Sequence, residues 1–350
     1  MLLHWGEEYL KKVLPDSLAT RLREATVDPH YDWKENEAFP HLDADTGQIV
    51  RYVQMPVITR VSRKRLRKFL SQNQKLNIQC NRHLRRIDLG PSGQLTVEFE
   101  DGSRVCGACV IGSDGSRSRV REYLCGENGR LVDTGLTLIN HIAKYDAEQA
   151  VFLRMHHPIV KLAFSDRGEI ILLAVVDASD REHPQNWTFQ VFFSWSGPPY
   201  VTDFSSPRER LRFFRENVSR FCEPWRTAVL ALKDDEIVPV DRGAQFSPFR
   251  WDNRDGRITL AGDAAHAMLP HRGQGLNNAM KDASEIVDAL TAVYSGKKCL
   301  NDAINAYEAE MIPRGAMEVG LSSDLAHKRV NAKWEDDIVR MGWNKPDLKV

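Results

Sequence analysis

Arg257-Ile-Thr-Leu-Ala-Gly262-Asp263-Ala-Ala-His266-Ala-Met-Leu-Pro270-His271-Arg272-Gly273-Gln274-Gly275-Leu276-Asn277-Asn278 is the stretch on which the fold turns. An apolar run, 257–261, ends in Gly-Asp, a glycine-containing loop follows, and a helical pattern begins with Leu276, Met280, Ala283, Val287 and Leu290 on one stripe. Gly296 is placed to close that helix. A strand that delivers Gly262 and Asp263 at its carboxyl end, next to a helix N-terminus, offers backbone N–H groups to phosphate or other electron-rich atoms. Gly273 and Gly275 permit close backbone approach, and Asp263 can accept from hydroxyl groups. A well-capped strand-to-helix turn with no ligand would read the same way.

Upstream, Val110-Ile-Gly-Ser-Asp114-Gly115-Ser-Arg-Ser-Arg119-Val-Arg121 repeats the theme: a strand, Asp-Gly, a polar turn and the start of a helix. A plain Asp-Gly turn is the simpler reading of this segment alone. Before it, Leu66, Phe69 and Leu70 mark the apolar face of a basic helix around 62–72. The runs 78–80, 84–89 and 95–99 read as short strands with turns at Gly90-Pro91-Ser92-Gly93 and Asp101-Gly102, a meander feeding a strand over 105–111. Leu18, Leu22 and Ala25 predict a short helix after Pro15, and 28–56 reads as irregular or short-strand connection. Between the two Gly/Asp segments the apolar runs 159–164, 170–176 and 187–195 predict a β-rich unit. Ser206-Pro207-Arg208-Glu209 then carries the cap, the N1 proline and the N3 glutamate of a helix bearing Leu211, Phe214, Val218 and Phe221.

The 350 residues suggest two domains or one large one, and 48 basic against 48 acidic side chains give no overall field toward nucleic acid. The cluster Arg60, Arg63, Lys64, Arg65, Arg67, Lys68 reads as a solvated helix face. No apolar run reaches the roughly 18 residues of a membrane span, and no secretory signal is visible, so a reducing, cytoplasmic setting is expected. Six cysteines spread along the chain read as free thiols, including Cys106 and Cys109, which have no second pair to complete a zinc site. Asp263, His266 and His271 match no common zinc spacing, so no metal is expected. Trp187, Phe189, Phe193 and Trp195 share one strand face and read as core or substrate-pocket lining rather than a nucleic-acid stacking surface.

Taken together, the two Gly/Asp segments resemble the fingerprints of flavoprotein monooxygenases of the aromatic-hydroxylase type, in that family's order. Val61-Ser-Arg63-Lys-Arg-Leu66 resembles its Arg-x-x-Leu pattern, and Tyr307-Glu308, Pro313-Arg314 and Ser322-Ser323 its C-terminal helix. Leu14-Pro15, Thr46-Gly47 and His157-Pro158 are closest to the fungal-type members. The resemblance implies an α/β, Rossmann-like FAD/NAD(P)-binding domain with an inserted β-rich substrate domain. The implied limits are 1–132 and 251–330 for the FAD-binding parts, 133–250 for the insertion and 331–350 for a tail. It implies FAD contacts from Arg63, Asp114, Gly115, Gly262, Asp263, Pro270, Gly273, Gly275, Leu276 and Asn277, with NAD(P)H as electron donor. The implied reaction is O2-dependent hydroxylation or epoxidation of a small apolar or aromatic molecule. The Trp-x-Trp-x-Ile-Pro pattern of flavin halogenases is absent.

The departure from the family is that Gly-x-Gly-x-x-Gly does not occur. The resemblance therefore places the first βαβ unit, with its pyrophosphate-binding turn and acidic ribose partner, upstream of Met1, and predicts weak flavin retention and poor NAD(P)H oxidation. A truncated relative that binds a small molecule or partner without flavin is the alternative expectation.

Overall fold

The computed structural model describes residues 1–34, 37–54, 59–72, 74–90 and 93–328. The chain opens with β1 (Leu2–Leu3), α1 (Gly6–Val13) and α2 (Asp16–Ala19), then a hairpin, β2 (Ala38–Asp43) and β3 (Ile49–Gln54). β4 (Thr59–Arg60) and α3 (Arg63–Ser71) lead to β5 (Leu84–Leu89), β6 (Leu95–Phe99), β7 (Arg104–Gly107), β8 (Val110–Gly112) and α4 (Arg119–Cys125). The central part comprises β9 (Val132–Ala143), α5 (Ala147–Phe152), β10 (Val160–Phe164), β11 (Ile170–Asp177), β12 (Thr188–Ser196), α6 (Pro207–Val218), α7 (Trp225–Leu230) and β13 (Val240–Gln245). β14 (Ile258–Leu260), α8 (Gly275–Tyr294) and α9 (Leu300–Ala326) complete the described chain.

A seven-stranded sheet in the order β13-β9-β12-β11-β10-β2-β3 dominates the molecule, antiparallel except where β10 meets β2. Its long apolar strands pack one face against α6 and α7 through Phe189, Phe193, Trp195, Phe214 and Trp225. Each such side chain contributes on the order of 2–3 kcal/mol by leaving water. The aromatic row is therefore core, the first of the two readings its spacing allows. The cap of α6 forms as expected, with Ser206 Oγ accepting from Glu209 N–H at 3.3 Å. Glu209 reaches one residue further back than a standard capping box, accepting from Ser205 N–H and Oγ–H at 2.7 Å each.

Several readings need correction. Residues 78–80 form no strand: Ile78 is exposed and no strand pairs with it among the described residues. The apolar run 105–111 divides at Ala108 and Cys109. Its first half, β7, closes the meander β5-β6-β7, and its second half, β8, pairs in parallel with β14. Residues 38–54, read as irregular or short-strand connection, are two strands that extend the large sheet through a pairing of β2 with β10. Arg60 is not part of a solvated face; it precedes the helix and is 4% exposed. Pro91, Ser92 and the 331–350 tail lie outside the described residues.

Helix α8 departs most from its reading. Val287 on the expected stripe is 47% exposed, while Asn277, Asn278, Lys281, Asp282 and Ser284 are buried. The helix turns a polar face inward because that face holds together several neighbouring segments.

Candidate functional site

β8 and β14 run parallel in register, Val110 beside Ile258 and Gly112 beside Leu260, so both Gly/Asp loops leave at the same carboxyl end. That is where open α/β sheets place ligands. Ala261 N–H donates to Gly112 O at 2.9 Å and extends the pairing into the loops. A Cβ on Gly112 would lie 2.7 Å from Val120 Cβ and 2.8 Å from Leu260 Cδ2, so only glycine lets α4 pack this close.

In the first loop, the exposed Asp114 carboxylate serves the helix that follows. It accepts from the Ser118 hydroxyl, from Arg119 N–H at 2.8 Å and from Val120 N–H at 3.3 Å. Gly115 adopts φ +84°, and a Cβ there would meet no atom within 4 Å. The turn is thus fixed from behind by Asp114 and open in front at Gly115.

Arg121, to which the sequence pattern assigns no role, is the residue that joins the loops. Its buried guanidinium donates to Gly129 O at 2.7 Å, Ala264 O at 2.9 Å, Asp263 O at 3.3 Å and Ser116 O. The five fixed donors of a guanidinium suit this bridging of separate carbonyls. Ser118-x-x-Arg121 is its sequence signal, one helical turn after the cap.

In the second loop, Gly262 takes φ +60° and donates its N–H to Asp282 Oδ2 at 2.7 Å. Asp263 is exposed, and its carboxylate accepts no hydrogen bond from the described residues. Pro270 is exposed at the start of a 3-10 turn that ends with Gly273 in the left-handed region, φ +65°. The Gly273 turn and Gly275 lead directly into α8, whose N-cap, Gln274, makes no side-chain cap. The first-turn N–H groups have no intrahelical acceptors by geometry, so they are available to an electron-rich partner.

Leu276 packs half-buried beside Leu3, Leu66 and Phe69, a cluster that sets the start of α3 near the start of α8. Arg63, the first residue of α3, is exposed with no hydrogen-bond or ion-pair partner among the described residues. Lys64 and Lys68 are exposed, as expected. Asn277 turns to the N-terminal segment: Oδ1 accepts from His4 N–H at 2.9 Å and Gly6 N–H at 3.1 Å, while Nδ2 donates to Leu2 O at 3.2 Å. A Cβ on Gly6 would lie 2.6 Å from Asn277 Cα, which shows how closely α1 approaches α8.

Behind the loops lies a polar lattice that apolar periodicity does not reveal. Asp282, fully buried, accepts from Gly262 N–H, and from His266 Nε2 and Arg314 Nη2, each at 2.7 Å. Burial alone would raise its pKa, yet the facing His266 and Arg314 hold it down at about 2. Arg314 also donates to Asn278 Oδ1 at 2.6 Å. Arg272 and Glu318 form a second buried ion pair at 2.7 Å. Glu308 accepts from Trp251, Asn253 and Thr259, tying α9 to β14 and the loop before it.

His271 leaves the Gly-containing loop for the sheet, where Nε2 meets Ser194 Oγ at 2.9 Å and the ring lies edge-on to Phe192. Burial pushes its pKa down to about 3, so the ring stays neutral at ordinary pH. His266 and His271 thus turn to different partners, Asp282 and Ser194, while the Asp263 carboxylate has none among the described residues. Among the described residues no three His, Cys, Asp or Glu groups are placed to hold a metal ion, and Cys106 and Cys109 are free thiols. Among the described residues no helix is long and apolar enough to cross a membrane.

Comparison with known proteins agrees with this arrangement. Residues 236–320 match the family model described as an FAD binding domain. The FAD-dependent monooxygenase phnB of Penicillium herquei is 31% identical over 350 residues, covering 99% of this chain and 82% of that protein. The FAD-dependent monooxygenase cctM of Talaromyces islandicus is 29% identical, covering 95% of this chain and 82% of its own. In fold, the chain is similar to 2,6-dihydroxypyridine-3-hydroxylase from Arthrobacter nicotinovorans, with TM-score 0.74 and 18% identity over 95% of this chain and 86% of that one. Klebsiella pneumoniae HpxO, solved with FAD and uric acid, gives TM-score 0.72 and 20% identity over 93% and 78% of the two chains. The parallel strand pair with its two Gly/Asp loops and the likeness to phnB along nearly the whole chain lead to one conclusion: this chain belongs to the FAD-dependent monooxygenases and has their α/β FAD-binding fold.

Proposed function

We propose that this chain holds FAD between the 112–119 and 261–277 loops and uses NAD(P)H and O2 to hydroxylate or epoxidise a small apolar or aromatic molecule. The observation that carries the reading is the uncapped N-terminus of the 20-residue helix α8, with the unpartnered Asp263 carboxylate beside it. That donor and acceptor set suits a ligand with both electron-rich ring atoms and a polyhydroxylated chain, and FAD has both. Supporting it, a Cβ on Gly275 would sit 3.6 Å from Asp263 Oδ1, so the carboxylate and the first helical turn face one space.

In this reading Asp263 accepts from sugar-alcohol hydroxyls, and Arg63 offers its fork of donors to phosphate. Gly262, Pro270, Gly273, Gly275 and Leu276 present backbone and apolar surface to the ring system, and the N–H groups of the first turn, Asn277 included, face its electron-rich edge. Asp114 and Gly115 border the approach of the nicotinamide donor. Bound FAD supplies the redox chemistry, taking electrons from the nicotinamide and passing them to oxygen. The chain orients the ligands, and Leu172 and Ile142 give the facing sheet an apolar surface.

Flavin titration tests the reading. Asp263→Ala is expected to weaken FAD affinity at least about ten-fold, the loss of charge-assisted hydrogen bonds, while the unfolding midpoint stays unchanged. Equal affinity in the two proteins would overturn the assignment.

A further inference from the structure

The sheet face turned toward the Gly-containing loop carries Gln190, Phe192 and Ser194 of β12, paired with Ile142, Asn140 and Leu138 of β9. His271 bounds this face at Ser194. At the other end, four residues of strand or roughly 14 Å away, stands Arg60. Arg60 donates from Nε to Val175 O at 2.8 Å and from Nη2 to Gln190 Oε1 at 2.7 Å. Both partners are neutral, and no carboxylate pairs with this buried guanidinium among the described residues. Buried charges ordinarily have a counter-charge, so an unpaired one calls for an explanation. Burial alone draws its pKa down to about 10.

The hydrogen bonds fix a direction. Arginine can only donate, so Gln190 must present Oε1 to it. Gln190 Nε2 is then free to donate, and it does so to Asn140 Oδ1 at 2.9 Å. Asn140 is left with its Nδ2 group outward, on an exposed side chain, with no partner among the described residues. Successive hydrogen bonds polarise one another, so part of the Arg60 charge is felt at that terminal donor.

We propose that Arg60, Gln190 and Asn140 form a donor relay that recognises a carbonyl oxygen on an aromatic substrate lying against the exposed Ile142. Asn140 touches the substrate; Gln190 and Arg60 are positioning residues. This rests on the proposed function, since it assigns the sheet face to the substrate, and it adds the substrate class. Apolar Ile142 and Leu172 flank the relay, so the amide is the polar feature that orients a ring in that part of the face.

Gln190→Glu makes the relay testable. A glutamate pairs with Arg60 without disturbing it but can no longer donate to Asn140, whose amide must turn over and present its oxygen. The probes are 2,4-dihydroxyacetophenone and 4-ethylresorcinol, which differ by the carbonyl, titrated calorimetrically into the full chain with and without added FAD. The wild type is expected to prefer the ketone about ten-fold, and Gln190→Glu and Asn140→Ala to abolish that preference with FAD affinity unchanged. Equal binding of the two probes by the wild type, or an undiminished preference in both variants, overturns the relay. Ketone preference in a chain that binds no FAD would refute the proposed function and leave the relay standing.

Discussion

Replacing Asp282 by asparagine keeps the shape of the polar lattice behind the loops and removes its charge. In the wild type this fully buried carboxyl is held at about 2 against an ordinary 3.8, because His266 and Arg314 outweigh the cost of burial. That difference corresponds to about 2 kcal/mol of folding stability. The folded-state pKa is depressed, so the contribution is complete above pH 4 and is lost as pH falls through 2. Asp282→Asn mimics the protonated residue. It should therefore be about 2 kcal/mol less stable than wild type between pH 5 and 7 and converge on it near pH 2. Asp282→Ala also leaves Gly262 N–H and His266 without their acceptor and Arg314 with Glu310 alone as counter-charge among the described residues, and should cost about 3–5 kcal/mol. The assay is urea unfolding followed by tryptophan fluorescence at a series of pH values. A gap between wild type and Asp282→Asn that is absent at pH 7, or that stays constant down to pH 2, refutes the reasoning.

Gly6→Ala should destabilise by about 1–3 kcal/mol, since its Cβ would meet the Asn277 backbone at 2.6 Å; thermal unfolding reads this, and a neutral result would mean that α1 slides freely on α8. Arg63→Lys should weaken FAD affinity in flavin titration while Lys68→Ala leaves it alone, because a point charge does not reproduce a guanidinium fork; identical behaviour counts against Arg63. Glu308→Ala removes the acceptor of Trp251, Asn253 and Thr259 and should cost at least about 3 kcal/mol, with a shift in tryptophan emission as the Trp251 indole N–H loses its partner.

Local signals were legible in the sequence. The Ser206-Pro207 cap, the apolar strands 160–164 and 170–177, and both Gly/Asp loops follow from residues close together in the chain. The missed features depend on distant partners. Residues 38–54 join the large sheet because β10 accepts β2, and no pattern within 28–56 contains that information. The run 105–111 is continuous in apolar character but divides because its halves join different sheets. A sequence pattern assigns Arg60 to water because charge outweighs context there; the carbonyl and amide that accept its bonds are far along the chain. The same blindness hid the inward polar face of α8. Of the candidate site, the two Gly/Asp loops were readable, whereas Arg121 and Asp282, which hold them in place, were not.

The pairing of Val110 with Ile258 also says something about the order of assembly. Bringing these strands together from a flexible chain would cost on the order of 4 kcal/mol in closure entropy. Folding of the intervening sheet, β9 to β13, greatly shortens the free chain that must be closed. On this entropy argument the β8–β14 pair and its Arg121 bridge are expected to close late in folding. A molecule bound across both loops then acts as a clasp on that last step, stabilising the finished chain by mass action and slowing its reopening.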